Sequence, residues 1–415
     1  MSRSPSPVPS AATMAVAQEA AQARRTMVHR LEEQEVLSDP LLREALLSVR
    51  REVLLPRAYV RRDAGYPEPV VRQLLDGAHP DDRQEWLELI HSGVSVLAQR
   101  DGEALEGQVR GRVEGGRITS AASVVSMTVQ MLHDLELRRG LSYLELGAGP
   151  GYSAAVAAHV LGAGRVTAVE RDVNMAAAAA HRLAELGLEV EVVAGDGLDG
   201  HRERAPYERI GFAFSVPYLP QRAVEQLAEG GLLLAHLTAD SPSWPGLITV
   251  RKHGGRLEAT VRGSRLGHVP VHGYEWVSLH RHKRRIGAEP GRHRARSVLP
   301  PPDAARGFWL ALAHCVPGLV RDFSAERLTL VAPREDSWAV VGSDGDVEEA
   351  GSRPVWDEVC EVYAHWERAG RPEQYRLELA ADGRQYVTAG AGAGGLAWEL
   401  PAPAGLVDES EGGTR

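Results

Sequence analysis

The sequence predicts an α/β fold built on a mostly parallel sheet with helices on both faces, followed by a small C-terminal α+β domain. Two observations predict it. From Leu141 to His236, short apolar runs alternate with helical patterns, which is the signature of βαβ units. Beyond Tyr274 the chain turns basic and then Pro-rich through Pro300-Pro301-Pro302, and a second group of strand and helix patterns follows. The length agrees, because 415 residues exceed the roughly 250–300 at which single cores stop growing.

The elements are expected in this order. Residues 1–26, Ser/Pro-rich and then Ala/Gln-rich, read as a disordered leader, so ordered structure is expected to begin near Met27. In S-D-P-L-L-R-E-A-L-L-S-V, Asp39 suits a helix N-cap and Pro40 the first helical position, with Leu42, Ala45, Leu46 and Val49 on one face. The stretch from Tyr59 to Arg83 reads as loop and short helix; Val94–Ala98 and Gln108–Val113 read as short strands. Strands are then expected at Ser142–Leu146, Arg165–Glu170, Glu189–Val193, Arg209–Phe214 and Leu232–His236, and helices at Tyr152–Leu161, Met175–Leu186 and Gln221–Ala228. Leu247–Lys252 and Leu257–Arg262 form a terminal hairpin around Gly254-Gly255. The predicted domain spans 27–274, with a linker at 275–303. The second domain, 304–400, takes helices at Phe308–Leu319 and Val355–Arg368 and strands at Leu328–Ala332, Trp338–Val341, Tyr375–Leu379 and Gln385–Val387. Residues 401–415 are a polar tail.

Composition excludes several classes. A net charge of −9 offers no global basic field for nucleic acid, and the run His280–Arg285 reads as a solvated linker. Two cysteines, Cys315 and Cys360, give neither a disulfide framework nor zinc-ligand spacing, so no metal is expected. No run of roughly 18 apolar residues predicts a membrane span, and the leader lacks the apolar core of a signal peptide, so the expected location is cytoplasmic.

The chemistry-bearing signal is Tyr143-Leu-Glu-Leu-Gly-Ala-Gly-Pro-Gly-Tyr152. Gly147, Gly149 and Gly151 follow a strand and precede a helix, so the turn can lie close to a ligand and aim backbone N–H groups at an anion. By itself such a turn is also compatible with a tight loop that binds nothing. Three acids add to it. Glu145, just before the turn, can receive the ammonium of an amino-acid ligand. Glu170, ending the next strand, can accept two ribose hydroxyls. Asp196, after the third, can accept from an adenine amino group. All fall at strand carboxyl ends, where open α/β sheets bind ligands. A dinucleotide-binding G-x-G-x-x-G would need glycine where Tyr152 stands.

The runs E-L-G-A-G-P-G-Y-S-A-A, A-V-E-R-D and A-G-D-G, continued by A-P-Y-E-R-I-G-F-A-F-S-V-P-Y-L-P and preceded by V-R-R-E-V-L-L-P-R-A-Y, resemble the protein-L-isoaspartate O-methyltransferases from about Met27 to Gly273. The resemblance implies a Rossmann-like class I methyltransferase sheet and S-adenosyl-L-methionine as cofactor, held by Glu145, Gly147, Gly149, Gly151, Tyr152, Glu170, Arg171, Asp196 and Gly197. It implies a protein or peptide partner bearing isoaspartate or aspartate, and neither nucleic acid nor a membrane. In Arg117-Ile-Thr-Ser-Ala-Ala122, Ser120 takes the place of the family's serine beside the transferred methyl, with Thr119 and Ser123 as neighbouring candidates. Ser215, Val216 and Pro217 match the peptide-channel loop. An alternative reading makes Ser120 the cap of a helix over Ala121–Leu132.

The sequence departs from the family in Ala122, where proline is usual, in a longer stretch between Ala64 and Glu85, and in the segment after Asp303. That segment resembles the C-terminal domain of actinobacterial homologues, some of which methylate an aspartate of a ribosomally made peptide that then closes to a succinimide. Repair at isoaspartate, tailoring of aspartate in a peptide, and a module that binds the cofactor without turnover are therefore the functions to be separated.

Overall fold

The structure is a computed structural model that describes residues 11–62, 69–239, 244–271, 286, 291–294, 299–322, 327–390 and 395–401. The basic run at 280–285 and the tail at 402–415 lie outside the described residues. Among those described, no helix is long and apolar enough to cross a membrane. The chain divides into two compact units, residues 1–201 and 202–415.

The first unit opens with helix α1 (Ala11–Glu33), which occupies most of the expected leader. Its inner face buries Ala20, Met27, Val28 and Leu31, and Arg24 bonds Glu52 at 2.7 Å and the Leu47 carbonyl at 3.0 Å. The Ala/Gln composition that suggested disorder is also good helix composition, and packing decided the matter. Helix α2 (Pro40–Ser48) starts as expected, with Asp39 Oδ1 accepting from the N–H groups of Leu41 and Leu42. Leu42, Ala45 and Leu46 are buried along it. A single turn, α3 (Arg51–Leu54), leads into a sheet that the sequence reading largely missed.

That sheet is antiparallel, in the order β4-β2-β1-β3-β5, with β1 (Arg57–Arg61), β2 (Val71–Asp76), β3 (Val96–Arg100), β4 (Gly111–Glu114) and β5 (Ile118–Ala122). The stretch expected as loop and short helix thus supplies β1 and β2. Its strands are only half-buried and charged along one face, so they lack an apolar run. Helix α4 (Arg83–Ile90) buries Trp86, Leu87 and Ile90, and the Trp86 indole N–H donates to the Leu55 carbonyl at 2.9 Å. Ser120 lies inside β5, opposite Gln99 of β3, and the next helix, α5, runs Val125–Asp134. The expected helix over Ala121–Leu132 begins four residues late, so Ser120 is not its cap.

The parallel part of the unit follows the sequence closely. Strands β6 (Tyr143–Leu146), β7 (Val166–Glu170) and β8 (Val190–Ala194) pair side by side, connected by α6 (Tyr152–Leu161) and α7 (Val173–Glu185). All four residues of β6 are buried, as expected for a strand covered on both faces. Asp172 caps α7, accepting from Asn174 and Met175 N–H at 2.9 and 2.8 Å.

The second unit corrects the domain expectation. Strands β9 (Tyr207–Val216) and β10 (Leu227–Leu237) are parallel, and α8 (Gln221–Val224) between them is one turn, because β10 begins where the helix was expected to continue. The hairpin β11 (Gly246–His253) and β12 (Arg256–Gly263) is as expected. From there β13 (Arg292–Arg294), β14 (Val320–Asp322), β15 (Leu328–Ala332), β16 (Ser337–Val341) and β17 (Val347–Ala350) form an antiparallel sheet in the order β13-β17-β16-β15-β14.

The last three strands, β18 (Gln374–Leu379), β19 (Gln385–Ala389) and β20 (Leu396–Glu399), do not join that sheet. They continue the hairpin's sheet, β18 pairing antiparallel with β12 from Ala259↔Leu377 to Arg262↔Gln374. The expected division at 275–303 therefore falls inside one unit, not between two domains. Helices α9 (Arg306–Cys315) and α10 (Val355–Arg368) bridge the two sheets of this unit. Phe308 stands edge-on to Trp309, Tyr363 and Trp366 with ring centroids 4.8, 5.2 and 5.9 Å apart, and the Tyr375 hydroxyl donates to the Gly307 carbonyl at 2.8 Å. Val355, Val359, Val362 and Trp366 are all buried on α10, as their spacing predicted.

A chain cut after residue 274 leaves β12 paired only with β11, without β18, and uncovers Ala259 and Val261, which are 6% and 0% exposed in the full chain. The expected outcome is loss of soluble monomer, because an exposed edge strand with an apolar face templates association. Soluble yield and sedimentation velocity of the fragment check this; a monodisperse fragment overturns it.

Candidate functional site

The turn between β6 and α6 has the geometry its glycines imply. Gly147, Gly149 and Gly151 have φ of +97°, +52° and +87°, a region that side chains with a Cβ rarely adopt. The Gly147 and Ala148 N–H groups donate to the Val169 carbonyl at 2.8 and 3.0 Å, fastening the turn to β7. A Cβ on Gly149 would stand 3.5 Å from Ser120 Oγ and 3.5 Å from the Ala121 carbonyl oxygen. The serine segment and the glycine turn thus face each other.

Glu145 is 1% exposed. One carboxyl oxygen accepts from the Ser153 hydroxyl, and the other, Oε2, is buried without a hydrogen-bond partner among the described residues. Burial pushes its pKa up to about 8; the Ser153 bond works against that shift and the charge of Glu170 adds to it. At neutral pH this burial favours protonated Glu145, and a cation arriving at Oε2 would reverse that preference.

Glu170 is half-buried and braces the turn. Its Oε2 accepts the Gly149 N–H at 2.7 Å and its Oε1 the Asp172 N–H at 3.0 Å, so one carboxylate ties the glycine turn to the start of α7. Arg171 beside it is exposed. Asp196 is exposed past β8, its Oδ1 accepting from Leu198 N–H at 2.9 Å, and Gly197 is buried. Tyr152 is buried at the head of α6, with the Arg51 guanidinium 4.2 Å above its ring.

Thr119 is committed elsewhere: its hydroxyl donates to Gln99 at 2.9 Å and accepts the Gly102 N–H at 3.0 Å. That leaves Ser120 as the hydroxyl facing the turn, with Ser123 half-buried between β5 and α5.

Ser215, Val216 and Pro217 belong to the second unit, at the end of β9, and all three are buried. Ser215 exchanges backbone bonds with the 269–271 segment, 2.8 Å each, while its Oγ is buried without a partner among the described residues. Behind it stand His236, opposite Ser215 in the β9–β10 register, and His268, with Nδ1 atoms 2.9 Å apart. Gln385 of β19 bonds both backbone groups of Leu219, accepting its N–H at 2.9 Å and donating to its carbonyl at 2.7 Å. The C-terminal strands thereby hold the end of the 215–219 loop.

Sequence reasoning missed Ser153, Arg51, Gln99 and Gln385. Ser153 was visible inside the G-Y-S run; the others act through contacts between segments far apart in the chain, which no local pattern reveals.

The sequence matches the family model described as Protein-L-isoaspartate(D-aspartate) O-methyltransferase over residues 109–271. It is 38% identical over 153 residues to the protein-L-isoaspartate O-methyltransferase of Methanocella arvoryzae, covering 36% of this chain and 79% of that protein. It is 44% identical over 115 residues to the protein of that name from Methanococcus maripaludis strain C5, covering 27% of this chain and 54% of that one. The chain thus spans little more than half the length of the Methanococcus relative it matches. A solved structure named protein-L-isoaspartate O-methyltransferase aligns with 85% of this chain and 96% of its own at 19% identity, with a TM-score of 0.47.

The His236–His268 pair makes stability depend on pH. Burial first, then the positive charge of Arg262, hold His236 at about 4; burial and then His236 hold His268 well below the usual histidine value. Above pH 6.5 neither folded nor unfolded chain protonates these rings, and the packing contribution is fully present. As pH falls from 6.5 toward 4, only the unfolded chain takes up protons, so His236 alone withdraws about 3 kcal/mol over that window. Urea midpoints measured at pH 7, 6 and 5 should fall steadily, and His236→Phe should flatten the slope.

Proposed function

We propose, because the chain belongs to the protein-L-isoaspartate O-methyltransferase family, that its first unit binds S-adenosyl-L-methionine at the Gly147–Tyr152 turn and that the protein esterifies a carboxylate of isoaspartate or aspartate in a protein or peptide. What carries the reading is the buried, unpartnered Oε2 of Glu145 at a turn that faces Ser120 Oγ across Gly149.

The residues fit the cofactor. Glu145 offers a buried acceptor for an ammonium, the glycines leave room for close approach, Glu170 lies at the end of β7 where ribose hydroxyls are held, and Asp196 follows β8 where an adenine amino group is met. Tyr152, Arg171 and Gly197 complete the walls in this reading. When bound, the cofactor supplies a methyl group activated on a sulfonium.

The chain's own residues then have little proton chemistry to do. An acceptor carboxylate is ionised at neutral pH, so no general base is required. Ser120 donates a hydrogen bond that holds the acceptor oxygen in line for displacement, and such positioning is worth roughly 7–11 kcal/mol in favourable cases. A short isoaspartyl peptide and an aspartyl peptide, assayed side by side for S-adenosylhomocysteine release, separate repair from tailoring, and release with neither argues for a binding module.

Two outcomes are expected. Ser120→Ala should lower turnover at least about tenfold while leaving cofactor affinity within about twofold, since it removes a contact to the acceptor alone; unchanged turnover in a folded variant refutes the assignment. S-adenosylhomocysteine affinity should rise between pH 6 and 8 as Glu145, whose pKa burial raises to about 8, ionises to meet the ammonium. Calorimetry across that range checks it, and Glu145→Gln should both weaken binding and abolish the slope.

A further inference from the structure

A cleft of about 850 Å³ opens in the first unit between the α3–β1 connection, the 104–108 segment and α7. It contains none of the residues assigned to methyl transfer. Part of its wall, Asp76 and Ala78, comes from the end of β2 and the turn after it. Its volume falls in the range of small-molecule sites, roughly 300–1,000 Å³.

Its lining divides in two. Leu54, Leu55, Ala98, Leu105, Ala177 and Ala178 give an apolar floor and sides. Arg57, Asp76, Gln108, Asn174, His181 and Arg182 supply polar groups. Arg57 is fixed by Asp76 at 2.8 Å and by the Leu105 and Gln108 carbonyls at 3.3 and 3.0 Å. Arg182 donates to the Leu54 carbonyl at 3.1 Å and has no carboxylate within 4 Å among the described residues. With two guanidiniums and a single carboxylate, which pairs with Arg57, the lining carries an excess positive charge inside a concave, partly apolar wall. Such a wall focuses the field on an anion. Desolvation first, then the like charge of Arg57, hold the Arg182 guanidinium below the usual arginine range, with Glu185 on α7 offsetting this in part; an anion between the two arginines would relieve the repulsion.

We propose that this cleft is a second ligand site, for a small molecule that carries an oxyanion, a carboxylate or phosphate monoester, on an apolar body. The oxyanion lies between Arg182 and Arg57, with His181 at the rim. The body lies against Leu54, Leu105 and the Ala177–Ala178 face of α7. Planar, forked guanidinium donors suit an oxyanion better than a spherical ion.

The experiment uses the full chain and two dyes of similar body: anilinonaphthalene sulfonate, which is anionic, and phenylnaphthylamine, which is neutral. The anionic dye is expected to bind one saturable site, undisplaced by saturating S-adenosylhomocysteine. Arg182→Gln should weaken it at least about tenfold and leave the neutral dye unchanged. Ala177→Trp, which fills the cleft from an exposed helix position without altering charge, should abolish both dyes while S-adenosylhomocysteine still binds. Equal affinity of the anionic dye for the Arg182 variant, displacement by S-adenosylhomocysteine, or retention of both dyes by the Ala177 variant overturns the proposal. Should Arg182→Gln fail to fold, the Ala177 variant and the displacement arm decide alone.

Discussion

The parallel register of β6, β7 and β8 is the constraint on which the candidate site depends. Leu146 lies opposite Val169, and Glu170 opposite Ala194, so the three strands end almost level. Level ends bring the glycine turn, Glu170 and the segment before Asp196 to one edge. A shift of one residue in a parallel pair would send every side chain of a strand to the other face, taking Glu145 out of the interior. The all-apolar neighbours of Glu145 in β6 make that slip costly, so the same residues that build the core also fix the chemistry.

Among the buried polar groups that depart from the usual rule of satisfaction, two bear on the glycine turn. Glu145 keeps an unpartnered oxygen at the mouth of the turn, and Arg51 keeps all three guanidinium nitrogens buried without a hydrogen-bond partner among the described residues, compensated by the face of Tyr152. The first is intelligible as a receptor for a cation. The second acts from behind the first residue of α6 and fixes the head of the helix that the glycine turn feeds. Glu170 completes the arrangement from the other side, since holding Gly149 and Asp172 together preorganises the turn.

Much of the fold was legible in the sequence, and the reasons differ by element. The βαβ core was readable because strands buried on both faces are continuous apolar runs, and α10 was readable because Val355, Val359, Val362 and Trp366 mark one helical face. Of the antiparallel sheet β1–β5, only β3 and β4 were read as strands; Arg57–Arg61 and Val71–Asp76 interleave charge with few apolar residues, and their pairing is set by partners up to dozens of residues away. The helix over the leader was missed because Ala/Gln-rich chain orders only when a neighbour covers it. The domain boundary failed for a topological reason: a Pro-rich segment marks a break in local structure but cannot say that β18 returns to β12. In the site, Glu145, Glu170 and the glycines were legible from the turn, whereas the link between Ser120 and Gly149 needed the fold to bring β5 across to it.

The return of β18 to β12 sets a timetable for the chain as it is made. β12 is complete at residue 263, but its partner strand begins at residue 374, 111 residues later. At roughly 5–20 residues per second, ribosomal synthesis keeps that edge open for about 6–20 seconds. The strand itself carries Arg256, Glu258, Thr260 and Arg262 at alternate positions, between Leu257, Ala259 and Val261. Charge at three of those four positions slows pairing with strangers for a time, as on natural edge strands, although it does not protect an edge left open for good. On this strand it guards an edge that is open during synthesis, until β18 arrives.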